Sequence, residues 1–172
     1  ISYVIWGGVR FFERKEIKDA LSYLRLIAFD DDLSFKRIVN VPSRKVGSKS
    51  VEQISKCALD NGCSLFEALR KLSGTKAFGK EPVRKFIELI DTARTLSESM
   101  TISNLLEYVL ANSGLNELYR TDEEEERLEN LNELIQSVKI YEEDHKEDEI
   151  SLTTYLQEIA LYTNLDSSRG KN

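Results

Sequence analysis

Apolar residues recur at helical spacing along almost the whole chain after residue 13. The first series, Ile17, Leu21, Leu24 and Ile27, predicts a helix over residues 15–29, because one face of a helix collects positions three and four apart. Similar apolar faces predict seven further helices, over 33–40, 48–61, 65–72, 82–99, 102–113, 122–141 and 152–163. The pattern therefore predicts an all-α fold with many helices in one domain.

Residues at the predicted helix ends support these boundaries. Gly62 is placed to end the 48–61 helix in a left-handed turn. Ser64 and Glu67 have the spacing of a capping box, which opens a helix. Thr101 and Ser151 are N-cap residues for the helices that follow them, since their hydroxyls can accept hydrogen bonds from free amides.

The N-terminus has a different pattern. Ser2–Trp6 predicts a short strand, and Gly7 and Gly8 predict a turn after it. A single strand leaves its backbone groups unpaired, so we expect a sheet supplied by another part of a longer polypeptide. The predicted organisation is a strand and hinge over 1–13, a helical domain over 14–165 and a disordered tail over 166–172.

Charge is distributed unevenly along the 172 residues, whose net charge is −6. Residues 1–49 hold ten Lys and Arg against six Asp and Glu, whereas residues 101–172 hold six against seventeen. This asymmetry indicates that the basic front of the chain meets a polyanion while the acidic back stays solvated or meets another partner.

Composition excludes several classes of protein. The apolar runs are only a few residues long, whereas a membrane-spanning helix needs about 18 or more. Cys57 and Cys63 are the only cysteines, which gives no disulfide framework. We therefore expect a soluble, cytoplasmic protein with reduced thiols and no membrane partner.

The segment 42–50 is the clearest candidate for a binding site. Arg44, Lys45 and Lys49 place three cations on a short turn, and Gly47 permits close approach of another backbone. The free amides of the helix that begins at Ser48 complete an anion site. The alternative is an ordinary turn whose basic residues are merely exposed, and these residues alone leave both interpretations open.

Catalytic and metal-binding patterns are weak. A Walker A loop needs glycines where this chain has Ser43 and Ser48, although Lys49 and Ser50 are in the right order. His145 is the only histidine, and we interpret it as a solvated residue at a helix end. The acidic run 142–149 lacks the spacing of a calcium loop. We therefore predict no catalytic residue and no metal site.

Three parts of the chain resemble the UvrD, PcrA and Rep helicases of superfamily 1. The pattern GG-x-x-F-x-x-R-x-EI-x-D-x-x-x-YLR is matched by Gly7, Gly8, Phe11, Arg14, Glu16, Ile17, Asp19, Tyr23, Leu24 and Arg25. An Asp-rich turn followed by R-I-x-N-x-P-x-R-G-I-G is matched by Asp31, Asp32, Arg37, Ile38, Asn40, Pro42, Arg44 and Gly47. The run Arg127–Leu131 resembles the family's R-L-E-N-L. The matches follow the family order over essentially the whole chain.

This resemblance implies the accessory 2B subdomain, an all-helical insertion in the second RecA-like motor domain. Such helicases use ATP and Mg, bound outside this segment, to move 3′ to 5′ along DNA and unwind it. The resemblance implies that the R-G-I-G loop grips duplex DNA, which here means Arg44, Lys45, Val46, Gly47, Ser48, Lys49 and Ser50. Lys45 departs from the pattern, since it stands where the family has its first Gly.

The resemblance also implies partners and a junction. Duplex DNA at a single-strand/double-strand junction and the motor domains of the same chain are expected partners, with repair or transcription proteins as further ones. A hinge at the junction is expected to use Gly7, Gly8, Arg14, Glu16 and Asp19, the three charged residues making ion pairs; direct contact with nucleotide or DNA is the alternative. The rival function is protein interaction or self-association through the acidic runs 122–126 and 142–149.

Overall fold

The computed structural model describes the backbone of residues 8–170 and the side chains of residues 8–164. Within residues 8–170 the chain forms helices and no strand, which confirms the all-α fold. The predicted strand and Gly7 lie outside the described residues. The helices are α1 Gly8–Glu13, α2 Lys15–Phe29, α3 Asp32–Ile38, α4 Ser48–Asn61, α5 Leu65–Leu72, α6 Glu81–Leu96, α7 Ile102–Asn112, α8 Leu115–Leu118, a 3₁₀ turn Asp122–Glu124, α9 Glu125–Asp144 and α10 Leu152–Gly170.

Several predicted boundaries agree with the structure. Helix α2 covers the predicted range 15–29, and α4 covers 48–61 with Gly62 in the left-handed conformation at φ 60°. Ser64 Oγ accepts a hydrogen bond from the Glu67 amide at 3.2 Å, as the cap prediction requires. The Glu67 carboxylate completes no box, because it accepts from Arg70 Nε at 3.2 Å instead.

Two helical segments were not predicted. Residues 8–13, within the segment predicted as strand and hinge, form α1; Phe11 and Phe12 are buried there, and the Phe12 ring packs edge-on against Tyr162 of α10. Helix α10 continues to Gly170, beyond the predicted end at Thr163 and into the segment predicted to be disordered. Apolar contact between the two ends of the chain is a tertiary effect that spacing within one segment does not reveal.

Helix α2 lies at the centre of the domain and contacts α1, α3, α6, α7, α9 and α10. Its residues Ile17, Ala20, Leu24 and Leu26 are fully buried, which accounts for the long apolar face read from the sequence. Next to α2, the Phe86 ring of α6 contacts three other aromatic rings at centroid distances of 6.2 to 6.5 Å, those of Tyr23, Phe35 and Phe66. This aromatic cluster supports the loop between α3 and α4.

None of the helices in the described part of the chain combines the length and apolar character needed to cross a bilayer.

Candidate nucleic-acid interface

Arg44 lies inside the domain, with 7% of its surface exposed. Its guanidinium donates hydrogen bonds at 2.7 to 3.3 Å to four backbone carbonyls and one hydroxyl, those of Ile38, Val39, Val41, Ser113 and Tyr23. The same group lies 4.7 Å from the centroid of the Phe86 ring. Because both Nη atoms of Arg44 donate inside the fold, the structure does not support the expectation that this side chain presents its charge to DNA.

Tyr23 is the second member of this buried network. Its hydroxyl donates to the Val41 carbonyl and accepts from Arg44 Nη2. Burial raises the pKa of Tyr23 to about 12, although the nearby Arg44 charge opposes the shift. The phenol therefore keeps its proton at neutral pH and continues to donate to Val41. The sequence carries no signal for this role of Tyr23, since its hydroxyl partners are remote in the chain.

The backbone of the loop is fixed by Asn40. The Asn40 Oδ1 atom accepts hydrogen bonds from the amides of Arg44, at 2.6 Å, and Val46, at 3.1 Å. Val46 is 3% exposed, so its side chain anchors the loop and cannot contact DNA as the resemblance implied. Between Arg44 and Val46, the backbone of Lys45 has a φ of 62°, in the left-handed region.

The conformation of Lys45 explains why the family pattern has Gly at this position. A left-handed conformation costs a residue with a side chain roughly 1–2 kcal/mol, whereas Gly adopts it freely. The Lys45 side chain is exposed, so its bulk is accommodated and its charge faces solvent. A Lys at this position therefore strains the backbone and adds an exposed positive charge.

Replacing Lys45 by Gly tests this strain. We expect Lys45→Gly to raise the free energy of unfolding by about 0.5–1 kcal/mol, measured by urea denaturation, because the strain is relieved. The matched control is Lys49→Gly, which lies in α4 and should lower the free energy of unfolding by about 0.5–1 kcal/mol. A loss of stability in both variants would contradict the left-handed conformation at Lys45.

The outward part of the loop consists of Lys45 and residues 47–50, which we call the basic turn. Lys45, Gly47, Ser48 and Lys49 are exposed and Ser50 is half-buried. Within the described residues neither lysine has a carboxylate at ion-pair distance.

The start of α4 lies at the centre of the basic turn. Gly47 is its N-cap and no side chain caps it. The first backbone amide of α4 that donates an intrahelical hydrogen bond is that of Val51, which donates to the Gly47 carbonyl at 3.0 Å. The amides of residues 48–50 thus remain at the positive end of the helix dipole, beside two cations. This arrangement suits a phosphate group.

The same loop does not fit a nucleotide. A phosphate-wrapping loop uses a run of free backbone amides, whereas the amides of Arg44 and Val46 already donate to Asn40. Among the described residues, no group of three or more His, Cys, Asp or Glu side chains is arranged to hold a metal ion.

The predicted junction residues lie mostly in the helical domain. Gly8 begins α1 with φ 69°, and Arg14 lies between α1 and α2. Arg14 Nη1 lies 3.4 Å from Glu126 Oε1, and both side chains are largely exposed. Glu16 is buried and has no ion pair with any side chain that the structure describes; it accepts a hydrogen bond from Asn130 Nδ2 at 2.8 Å. This bond joins two of the motifs that resemble the helicase family, EI-x-D and R-L-E-N-L.

Asp19 makes the expected ion pair, with Arg37 Nε 2.7 Å from Asp19 Oδ1. Its other oxygen, Oδ2, is buried and has no hydrogen-bond partner within the described residues. Burial raises the pKa of Asp19, and the Arg37 charge only partly opposes this shift. These contacts tie α2 to α3 and α9 inside the domain, and the hinge stays a prediction.

The acidic run 142–149 stabilises the fold in a way that the sequence did not reveal. The Glu142 carboxylate accepts from the amide of Ser103 at 2.6 Å and from its hydroxyl at 2.9 Å, which caps the start of α7. His145 is half-buried rather than solvated, and its ring stacks on Tyr141 at 4.5 Å. Protein interaction through the other acidic side chains of residues 142–149 stays a prediction.

Comparison with known proteins gives a consistent answer over the whole chain. The chain is 38% identical over its whole length to an ATP-dependent DNA helicase PcrA from Staphylococcus epidermidis strain RP62A, of which it covers 24%. It is 36% identical over 96% of its length to the protein of the same name from Bacillus subtilis strain 168, covering 23% of that protein. The Staphylococcus aureus strain Mu50 protein is 38% identical over 99% of the chain, with 24% covered.

The chain thus spans about a quarter of the length of these relatives. The sequence model of the family described as UvrD-like helicase C-terminal domain matches residues 1–172. With that match over every residue, the chain belongs to the UvrD-like helicase C-terminal domain family.

Proposed function

We propose that this chain is the 2B accessory subdomain of an ATP-dependent 3′ to 5′ DNA helicase, and that its basic turn holds the backbone of duplex DNA at a single-strand/double-strand junction. The observation that carries the proposal is the exposed pair Lys45 and Lys49 beside the uncapped start of α4. Family membership and relatives named as ATP-dependent DNA helicases support it. ATP hydrolysis is assigned to other parts of the parent protein.

The chemistry of the basic turn suits phosphate rather than bases. Two ammonium groups and the amides of residues 48–50 act on negative charge, and backbone amides donate hydrogen bonds to phosphate oxygens. Nothing in these contacts distinguishes one base pair from another. Binding should therefore be independent of DNA sequence, as a subdomain that meets every duplex ahead of the motor requires.

Arg44 supports this site without touching the ligand. Its bonds to the carbonyls of residues 38, 39 and 41 hold the loop closed, and its bond to Ser113 fastens the loop to the end of α7. The loop is therefore organised before DNA arrives, which lowers the entropy lost on binding.

The junction with the motor domains belongs to the same proposal. Residues 1–13 would connect the helical domain to the motor, and the exposed Arg14–Glu126 contact would adjust as the two rotate. Gly8, with φ 69° at the start of α1, would take part in that hinge.

The experiment compares duplex binding by the wild-type chain and by the double variant Lys45→Ala/Lys49→Ala, using fluorescence anisotropy and a fork with a 3′ single-stranded tail. Removing two phosphate contacts should weaken binding roughly tenfold and reduce the slope of log affinity against log salt by about 2. The control Lys139→Ala/Lys146→Ala removes the same charge from exposed positions elsewhere. Equal affinities for the wild type and the basic-turn variant would remove this loop from the mechanism.

A further inference from the structure

A groove lies where the turn after α6 meets the loop between α9 and α10. Residues 97–102 line one side, and residues of the segment 142–152 line the other. Its volume is about 550 Å³, and sites for small ligands have volumes of roughly 300–1,000 Å³. Through Glu98 and Leu152 it continues into a smaller groove of about 310 Å³ that reaches Ala28, near the end of α2. The two grooves form one elongated cleft, which we call the α6–α10 cleft, and this shape suits an extended segment of chain.

The buried part of the cleft lining is apolar. Ile102 and Leu105 belong to the core and also line the cleft. Met100, Ile150 and Leu152 are half-buried beside them and pack against the same core. Covering the exposed part of these three side chains would remove apolar surface from water, which is favourable. The cleft therefore suits a ligand with at least one aliphatic side chain.

The rim of the cleft is negatively charged. Glu98 and Asp148 are exposed, and neither makes an ion pair with any side chain that the structure describes. Glu142 adds a third carboxylate to the lining. Among the described residues, Lys146 is the one Lys or Arg that lines the larger groove, and its ammonium lies 3.2 Å from Glu143 Oε1. A cation that enters the cleft therefore meets carboxylates whose charge is not yet neutralised.

Helix ends add to the negative field of the cleft. Residues that directly follow α6 and α9 line it, and the carbonyl end of a helix carries partial negative charge. Helices α7 and α10 begin at the cleft, but their positive ends are capped, since Glu142, Thr101 and Ser151 accept hydrogen bonds from their amides. Arg94, which lines the smaller groove, already donates to two carbonyls of α2. The cleft therefore attracts positive charge.

We propose that the α6–α10 cleft binds an extended basic segment of a partner protein, in which Lys or Arg alternates with aliphatic residues. Successive side chains of an extended segment point in opposite directions, so an aliphatic side chain covers the apolar lining while the flanking cations reach Glu98 and Asp148 at the rim. Nucleic acid does not fit, because the carboxylates repel phosphates. The basic turn of a second copy does not fit either, since Val46 is buried and the turn exposes no aliphatic side chain.

Three peptides test whether the cleft requires both charge and apolar side chains. Fluorescence anisotropy measures binding of labelled GKLKLKG, GKSKSKG and GELELEG to the wild-type chain. GKLKLKG should bind at least fivefold more tightly than GKSKSKG, which lacks the apolar side chains, and GELELEG, whose charge is reversed, should not bind. Equal affinities for the three peptides, or no binding of GKLKLKG at a protein concentration of about 1 mM, would contradict the proposal.

A pair of charge variants tests where the peptide binds. Glu98→Gln/Asp148→Asn removes the two rim charges with little change in side-chain size, and should weaken binding of GKLKLKG about fivefold. The matched control is Glu123→Gln/Glu125→Gln, which removes the same charge from exposed positions in the acidic run 122–126 and should keep the affinity within twofold of the wild type. Equal losses in the two variants would mean that the peptide responds to net charge alone, and the cleft would not be its site.

Amide NMR spectra locate the contact directly. GKLKLKG should shift the resonances of residues 97–102 and 145–152. Shifts of the same resonances with chain concentration alone would identify a second copy as the occupant and overturn the proposal.

Two further measurements keep this proposal separate from the proposed function. Glu98→Gln/Asp148→Asn should bind the forked duplex within twofold of the wild type, and a larger change would place DNA at the cleft and contradict a peptide site. Lys45→Ala/Lys49→Ala should bind GKLKLKG as the wild type does, because its lysines lie outside the cleft lining. Failure of DNA binding at the basic turn thus leaves the cleft proposal standing, and failure of peptide binding leaves the basic turn standing.

Discussion

Arg44→Met should lower the free energy of unfolding by about 3–5 kcal/mol, although Arg44 belongs to a motif that suggests DNA contact. Methionine fills part of the space but donates no hydrogen bond, so the carbonyls of residues 38, 39, 41 and 113 lose a shared buried donor. A buried carbonyl left without a donor costs about 1–3 kcal/mol, and several lose theirs together here. Urea denaturation should show the midpoint falling by roughly 2 M.

Two control variants test whether the loss of stability is specific to the buried Arg44 guanidinium. Tyr23→Phe removes only the hydroxyl between Arg44 and Val41, and should cost about 1–2 kcal/mol. Lys49→Ala removes an exposed cation from the same segment and should change stability by less than about 0.5 kcal/mol. An Arg44 variant as stable as the Lys49 variant would show that the guanidinium lies in solvent.

Helix positions were predictable from the sequence because they depend on local spacing and on caps. The ranges of α2 and α4, the left-handed Gly62 and the caps at Ser64 and Thr101 all agree with the structure. Each of these features involves residues that are close in the chain. Helix α1 was not predicted, since it depends on packing between the two ends of the chain, where Phe12 contacts Tyr162.

The sequence predicted where the candidate site lies along the chain, but not which of its side chains face solvent. The segment was identified from its cations and Gly47, but charge alone does not reveal which side chain is buried. Arg44 turned inward because Tyr23, Phe86 and Ser113, which are remote in the sequence, form a cage for its guanidinium. The left-handed Lys45 had one available signal, namely the Gly that the family pattern places there.

Phe86→Ala is the second variant expected to have a large effect. The Phe86 side chain is 1% exposed and contacts the rings of Tyr23, Phe35 and Phe66 as well as the Arg44 guanidinium. Removing the ring from a closely packed core should lower the free energy of unfolding by about 3–5 kcal/mol. Chemical denaturation followed by circular dichroism measures this loss, and a cost under 1 kcal/mol would contradict the buried position.

The milder Phe86→Leu tests whether the ring supports the binding loop itself. In a double-mutant cycle with Arg44→Met, loss of the cation–π contact should appear as a coupling energy of about 1 kcal/mol. Phe35→Leu is the matched control, because Phe35 is equally buried and touches Phe86, yet no cation–π contact with Arg44 is found for it. Its coupling to Arg44 should therefore be smaller. Equal coupling for the two rings would mean that Phe86 acts on the loop through general packing and that the guanidinium contact adds nothing.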